Sequence, residues 1–381
     1  MLQTFLNNKP LFYDEIDYSR MPRVFERVKK NIKIPKTIHI IGTNGKGTTG
    51  RFLASALYAK GFNVGHYSSP HIIDFNERVW LNGKNVSNRD LDKAHQKLLN
   101  ILTPQESNSL SYFEYTTLIS MVIFENLEYV ILEAGLGGEY DATAVFPKLL
   151  TVVTPIGIDH EAFLGDNIED IVTTKLNAIE NIAILGKQKN VEVYQIADNI
   201  AKKNRIKIIL FDSLLEEEDF SKIDNISDYL SLAPYLSQNL QLAIAVLKYL
   251  KIEYDAKDFY NAKLFGRLSS LNSNILLDVG HNILASESIA NSLKDQKYIL
   301  IYNSYKDKNY KKILSILKPI IEHIELIDIV DERIEDKNIL RKTIATLEIL
   351  CKDFIKIDND KKYLVFGSFK VVEEFLKKYN A

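Results

Sequence analysis

The stretch Thr37-Ile-His-Ile-Ile-Gly-Thr-Asn-Gly-Lys-Gly-Thr-Thr49 decides the fold class of this chain. An apolar, β-branched run from Thr37 to Ile41 enters a glycine-rich turn, and Lys46, Thr48 and Thr49 follow. The residues from Gly50 to Lys60 favour a helix, with Phe52, Leu53, Ala56 and Leu57 on one face. Strand, glycine turn, Lys-X-Thr and helix together make a phosphate cradle. Gly42, Gly45 and Gly47 let backbone N–H groups turn inward, Lys46 supplies a point charge, and Thr48 offers a hydroxyl to Mg²⁺. The spacing departs from the strict phosphate-loop pattern at Ile40, where glycine is usual, and at Gly47, where Ser or Thr is usual. A glycine turn that serves packing alone is the competing reading of this stretch.

Outward from this loop, short apolar runs alternate with amphipathic stretches. The runs are Thr37–Ile41, Tyr129–Leu132, Leu149–Val153, Ala183–Leu185 and Ile206–Phe211, and helices are expected at Leu91–Leu102, Leu118–Phe124 and Leu236–Leu250. Buried strands alternating with helices predict a mostly parallel sheet covered on both faces. The pattern restarts near Lys263, with strands at Asn274–Leu277, Lys297–Tyr302, Ile324–Ile329 and Tyr363–Phe366 and helices at Ile283–Leu293 and Phe369–Lys378. Two α/β domains, 1–262 and 263–381, follow from that restart. The acidic run Glu216 to Asp219 reads most simply as a solvated loop.

Composition narrows the class further. At 381 residues the chain is long enough for about two domains with real cores. A net charge of −2 supplies no basic field for nucleic acid or an anionic membrane. No apolar run nears the roughly 18 residues that span a bilayer. Met1 to Pro10 lacks the basic start and apolar stretch of a secretion signal. The single cysteine, Cys351, forbids an internal disulfide and fits a reducing cytoplasm. A cytoplasmic monomer is the expectation.

Four further clusters place polar residues just after an apolar strand, where open α/β sheets bind ligands. They are Ser68-Ser-Pro-His71 continuing to Glu77 and Arg78; Glu133 with Gly135 to Gly138 and Asp141; Asp159-His160-Glu161; and Asp278 with Gly280, His281 and Asn282, preceded by Gly266 and Arg267. A carboxylate such as Glu133 at a strand end suits Mg²⁺, since burying it unpaired would be costly. His160, between two carboxylates, suits metal ligation by a neutral imidazole. Taken singly, each has a bland alternative: a proline turn, a satisfied histidine, a surface lysine at Lys175.

Together these blocks resemble the folylpolyglutamate synthase/dihydrofolate synthase branch of the Mur ligase superfamily. Gly42 to Thr48, Ser69 to His71, Phe113-Glu114 with Thr117, Leu132 to Gly138, Ile158 to His160, Gly266-Arg267, Asp278 to Asn282, Lys306 to Lys308 and Gly367-Ser368 occur in family order. The resemblance implies an α/β fold: a P-loop ATPase domain with a mostly parallel sheet plus a smaller Rossmann-like C-terminal domain. It implies that Thr43, Asn44, Gly45, Lys46, Gly47 and Thr48 hold the phosphates of ATP. It makes Thr48, Ser69, Glu133 and His160 ligands of Mg²⁺, with two ions expected and a monovalent-cation requirement left open. Lys175 matches a lysine that the family carries as a carbamate. Arg267, Asp278 and His281 would serve ATP and the incoming amine, so Lys46, Lys175 and His281 are the expected catalytic residues. On the helix that usually carries His-Gln and a later Asn, this chain has Ser237, Gln238 and Gln241, and Gln241 is the expected adenine contact.

The implied reaction is ATP-driven addition of L-glutamate to dihydropteroate and to reduced folates through an acyl phosphate, with release of ADP and phosphate. Phe113, Glu114 and His281 are expected at the substrates, with Arg23 as an anion partner and Phe25 as a stacking face for dihydropteroate. A cell-wall Mur-type ligase would place a whole domain before the phosphate loop, where about 40 residues stand here, too few for one. A nucleotide-dependent switch would not need the constellation around Arg267, Asp278 and His281.

Overall fold

The computed structural model describes residues 1–9 and 17–379. It divides into two compact units: Met1–Ile156 with Ile168–Leu230 and Gln238–Lys263, and Gly157–Asn167 with Ser231–Ser237 and Leu264–Ala381.

The first unit is built on a sheet of Lys36–Ile41 (β1), Val64–Tyr67 (β2), Val79–Leu81 (β3), Lys84–Asn85 (β4), Tyr129–Glu133 (β5), Leu150–Val153 (β6), Ile182–Leu185 (β7) and Lys207–Leu210 (β8). Their order is β4-β3-β2-β5-β1-β6-β7-β8. Strand β3 pairs antiparallel with both β2 and β4 at one edge, and the remaining pairs are parallel. The apolar run of β1 explains its central place: Ile38, His39, Ile40 and Ile41 are all fully buried, as a strand covered on both faces requires. Its register then decides the site. Ile40 lies beside Glu133 and Ile41 beside Val153, so the ends of β5 and β6 flank the glycine turn. The helix after the turn, Lys46–Ala59, begins four residues before the expected Gly50.

The second unit has its own sheet: Ser269–Ser270 (β9), Ile275–Asp278 (β10), Tyr298–Tyr302 (β11), Ile321–Leu326 (β12), Cys351–Asp353 (β13) and Tyr363–Phe366 (β14), ordered β13-β12-β11-β14-β10-β9. Only β9 pairs antiparallel among the described residues. Leu300, Ile324, Leu364 and Phe366 are fully buried at its centre. The α/β class and two mostly parallel sheets are therefore as read from the sequence.

Several local readings are corrected. Glu216 to Asp219 is no solvated loop: Glu217–Leu230 is a helix, and Asp219 is buried, accepting from Tyr254 Oη at 2.5 Å and pairing with Lys248 at 3.3 Å. Acidic residues in a helix's first turn meet its positive end. The strand expected at Ile324 starts at Ile321, and the helix expected at Leu118 starts at Tyr112 behind a capping box of Ser111 and Glu114. Strands β2 to β4 were not expected, because Gly65 and His66 interrupt the apolar run and β4 is polar.

Candidate functional site

The glycine turn leaves β1 with Gly42 at φ +136° and Gly45 at φ +88°, backbone that side chains rarely adopt. Close packing gives a second reason for both. A Cβ on Gly42 would collide with Thr154, and one on Gly45 would lie 2.5 Å from Asn239 Oδ1. The turn is tied to the end of β6, where the Pro155 carbonyl accepts from Thr43 N (2.9 Å) and Asn44 N (3.2 Å). Gly45 caps the helix that starts at Lys46, so that helix presents its unpaired N–H groups and positive end at the turn. Lys46 Nζ folds back on the carbonyls of Gly42 (3.3 Å) and Thr43 (3.2 Å) and stands 3.9 Å from Glu133 Oε1.

Glu133, buried at the end of β5, accepts from Ser69 N at 3.2 Å. The Thr48 hydroxyl is fully buried and makes no hydrogen bond among the described residues. An orphaned hydroxyl inside a loop of inward amides costs free energy unless a ligand meets it. A hydroxyl, a carboxylate and a phosphate cradle are the hard oxygen donors that Mg²⁺ takes, so these residues fit the ion. Among the described residues no three His, Cys, Asp or Glu side chains converge as a metal cage. Phosphate oxygens and water would complete the coordination, as is usual for Mg²⁺ at nucleotides.

Lys175 comes to the same turn from the helix Ile168–Leu176. It is buried, with Nζ donating to the Gly42 carbonyl at 3.2 Å. The glycine-rich loop after β5 packs on its backbone: a Cβ on Gly138 would lie 2.6 Å from the Lys175 carbonyl, and Glu139 N donates to Thr174 O at 3.0 Å. Asp141 shapes that loop by accepting from Gly135 N (2.9 Å), Leu136 N (2.8 Å) and Thr143 Oγ1 (2.5 Å). Burial raises the Asp141 carboxyl's pKa against these bonds. Because Thr143 gives its proton to Asp141, His39 Nε2, 2.8 Å away, must donate to Thr143. Full burial, with Lys148 nearby, lowers the His39 pKa to about 3 and keeps the imidazole neutral.

In the first unit, then, the structure brings together Thr43, Asn44, Gly45, Lys46, Gly47, Thr48, Ser69, Glu133 and Lys175. Phe113 stands against the glycine loop, its ring 2.6 Å from where a Gly135 Cβ would sit. Gln241 is half-buried on the helix Pro234–Tyr249, and the buried Asn239 of that helix is the residue packed against Gly45. Two expectations need revision. Phe25 offers no stacking face, because it is buried edge-on against Phe146 at 4.9 Å. Glu114 accepts from Arg20 (2.9 Å) and from the N–H of Ser111 (2.7 Å), a capping role that the sequence reading did not give it. Arg23 is exposed and pairs with Asp17 at 3.1 Å.

The second unit holds His160, Arg267, Asp278 and His281. His160 adopts left-handed backbone (φ 57°, ψ 38°) and starts the short helix Glu161–Leu164. Its neighbour Asp159, which the sequence reading left without a role, is the hub. Asp159 accepts from Lys308 Nζ (2.8 Å) and Asn282 Nδ2 (2.8 Å), with His281 Nε2 at 3.6 Å. Burial opposes its ionisation, but His281, His160 and Lys308 together hold the carboxyl well below the usual range. Asp278, at the end of β10, accepts from Tyr235 Oη (2.8 Å), Leu268 N (2.9 Å) and Gly280 N (2.7 Å), and burial pushes its pKa up. The Arg267 guanidinium lies over the Phe369 ring at 5.1 Å. The block Lys306 to Lys308 was the one sequence signal for Lys308; nothing local signalled Asn239.

A phosphate loop with a strand-end carboxylate and a buried helix lysine beside it, joined in one chain to a second α/β unit with a charged cluster, is the make-up of an ATP-dependent acid–amino-acid ligase. Known proteins agree. A dihydrofolate synthase/folylpolyglutamate synthase of Buchnera aphidicola is 31% identical over 373 residues, spanning 88% of this chain and 86% of its own. The crystal structure of Helicobacter pylori folylpolyglutamate synthetase is 36% identical and superposes with a TM-score of 0.80 over 100% of this chain and 98% of that one. A Yersinia pestis bifunctional folylpolyglutamate synthase/dihydrofolate synthase, complexed with AMPPNP and Mn ion, shares the fold at 24% identity, with a TM-score of 0.83 over 99% of this chain and 97% of its own. No protein-family profile matches the chain. The chain belongs to the dihydrofolate synthase/folylpolyglutamate synthase family and is a ligase. No helix among its described residues is long and apolar enough to cross a membrane.

Proposed function

We propose that the protein joins L-glutamate to dihydropteroate and to reduced folates, acting as a cytoplasmic monomer. The observation that carries the reading is the buried, partnerless Thr48 hydroxyl in a loop whose Lys46 stands 3.9 Å from Glu133. That arrangement calls for a phosphate and a cation rather than for packing.

The acceptor carboxylate attacks the γ-phosphoryl group of ATP, the bond to ADP breaks, and an acyl phosphate forms. Lys46 and the amides at the N-terminus of its helix oppose the charge gathering on the phosphoryl oxygens. Mg²⁺ bound at Thr48, Ser69 and Glu133 would add Lewis-acid stabilisation there. His160 and a carbamylated Lys175 are each further candidate metal ligands in the same proposal. The α-amine of glutamate then attacks the acyl carbon and phosphate leaves, with Arg267, Asp278 and His281 assigned to ATP and this amine. Each step rests on placement and charge, with no covalent enzyme intermediate.

The test follows phosphate release from ATP by the purified protein. ADP and phosphate should appear only when glutamate is present with dihydropteroate or with tetrahydrofolate. AMP and pyrophosphate as products would refute the acyl-phosphate route, and inactivity on dihydropteroate would refute the dual activity.

A further inference from the structure

The middle of β1 holds one imidazole among apolar side chains. His39 stands between Ile38 and Ile40, and all three are fully buried. Nε2 lies 2.8 Å from the Thr143 hydroxyl, whereas Nδ1 is buried with no hydrogen bond among the described residues. A buried ring nitrogen left unbonded costs about 1–3 kcal/mol. A leucine in the same place would bring no such cost. Packing therefore gives no reason for an imidazole here, and the atom that sets His39 apart from its neighbours is Nε2.

The bonds that start at Nε2 run in one direction. A neutral imidazole donates from one nitrogen and accepts at the other. Thr143 Oγ1 gives its proton to Asp141 Oδ1 at 2.5 Å, so its lone pair takes the Nε2–H of His39. Asp141 Oδ1 also accepts from Thr143 N (2.9 Å), and its other oxygen accepts from Gly135 N (2.9 Å) and Leu136 N (2.8 Å). Lys148 Nζ steadies the short turn Ala142–Val145 by donating to the Ala144 carbonyl at 2.8 Å. The loop anchored in this way is the one that packs on Lys175 at Gly138 and on Thr174 through Glu139 N. Three side chains thus join the centre of β1 to the loop beside Lys175. Hydrogen bonds in series polarise one another where the dielectric is low. A hydroxyl that receives from His39 has its proton aimed at Asp141, and without that donor the hydroxyl is free to turn.

We propose that His39 is a positioning residue for the ligase reaction: its Nε2–H orients the Thr143 hydroxyl onto Asp141 and so holds the glycine loop, residues 135–138, against Lys175. The link to catalysis rests on the function proposed above, in which Lys175 helps to hold the metal. His39 acts through the loop and not on the substrates, so its loss slows turnover without removing a reacting group.

Nitrogen-15 NMR of the purified protein should show His39 neutral and protonated at Nε2. His39→Leu, which keeps bulk and loses the donor, should speed hydrogen exchange of the Gly135 and Leu136 amides about tenfold, the effect of one hydrogen bond. The Ile40 amide in β1 should stay as protected as before. Turnover on tetrahydrofolate and glutamate should fall about tenfold in kcat, with KM for ATP unchanged. His39→Gln, whose amide can again donate to Thr143, should restore most of the exchange protection and most of kcat. Protonation at Nδ1, wild-type loop exchange in His39→Leu, or a His39→Gln protein as impaired as His39→Leu overturns the assignment. Faster loop exchange with wild-type kcat overturns the link to catalysis. If His39→Leu does not fold, Thr143→Val decides in its place, because it cuts the same chain one link further on: unchanged loop exchange there overturns the proposal, and a tenfold rise supports it. A wild-type protein inactive on these substrates would instead overturn the functional reading beneath, while the tautomer and the loop exchange would still decide the contact.

Discussion

Replacing Gly42 by alanine should destabilise the first unit and loosen nucleotide together. Gly42 sits at φ +136°, where an L-residue carries strain of about 1–3 kcal/mol. The added methyl would also collide with Thr154 Oγ1 and lie 2.8 Å from the Thr154 carbonyl oxygen. Thr154 cannot retreat freely, because its own N–H donates to Ile41 O at 2.9 Å where β1 and β6 end at the centre of the sheet. Overpacking of that kind adds about 1–3 kcal/mol, so the sum is roughly 2–6 kcal/mol. Part of it will be relieved by shifting the turn, which strains the bonds of Thr43 N and Asn44 N to the Pro155 carbonyl and displaces the helix N-terminus at Lys46 that would face the phosphates. ADP titration should show at least about a tenfold weaker Kd, since 1.4 kcal/mol already gives that, and thermal unfolding should show a lower Tm. Adding Thr154→Ala removes the hydroxyl but neither the carbonyl contact nor the backbone strain, so recovery should be partial. Wild-type ADP affinity and Tm in Gly42→Ala would refute the reasoning, and so would complete recovery in the double variant.

Other consequences follow from the same geometry. Glu133→Ala should cost at least about a hundredfold in turnover, roughly 3 kcal/mol of barrier; near-normal turnover at saturating Mg²⁺ would remove Glu133 as a metal ligand. Lys175→Ala should be inactive and partly rescued by short-chain carboxylates that replace the carbamate's anion, whereas an unaffected enzyme takes Lys175 out of the mechanism. The pKa of His39 is lowered to about 3 in the folded state from an ordinary value of 6.5, so its contribution to stability is complete above pH 6.5 and is lost as pH falls toward 3. Denaturant unfolding should therefore weaken by up to about 1.4 kcal/mol per pH unit from this residue across that window. His39→Gln should flatten the slope, and an unchanged slope would show that other groups control it.

What the sequence determined is whatever repeats locally. Short β-branched runs between amphipathic stretches specify buried parallel strands, and β1, β5, β6 and β14 lie within a residue or so of their expected bounds, because a strand covered on both faces must be apolar throughout. The phosphate loop was equally legible, since its glycines and Lys46 are consecutive. Glu216 to Asp219 was not: whether an acidic run is solvated or starts a helix depends on Lys248 and Tyr254, more than 25 residues away in sequence. Phe25 and Glu114 show the same limit, for an aromatic ring and a carboxylate are as suited to a core and a cap as to a ligand. Only the tertiary structure separated Asp159, which gathers Asn282 and Lys308, from an ordinary loop aspartate. Only it joined His39, in the midst of an apolar strand, to Thr143, more than 100 residues on in sequence. A sequence records which polar groups a chain carries, but packing decides which of them are joined to one another and which are left to meet a ligand.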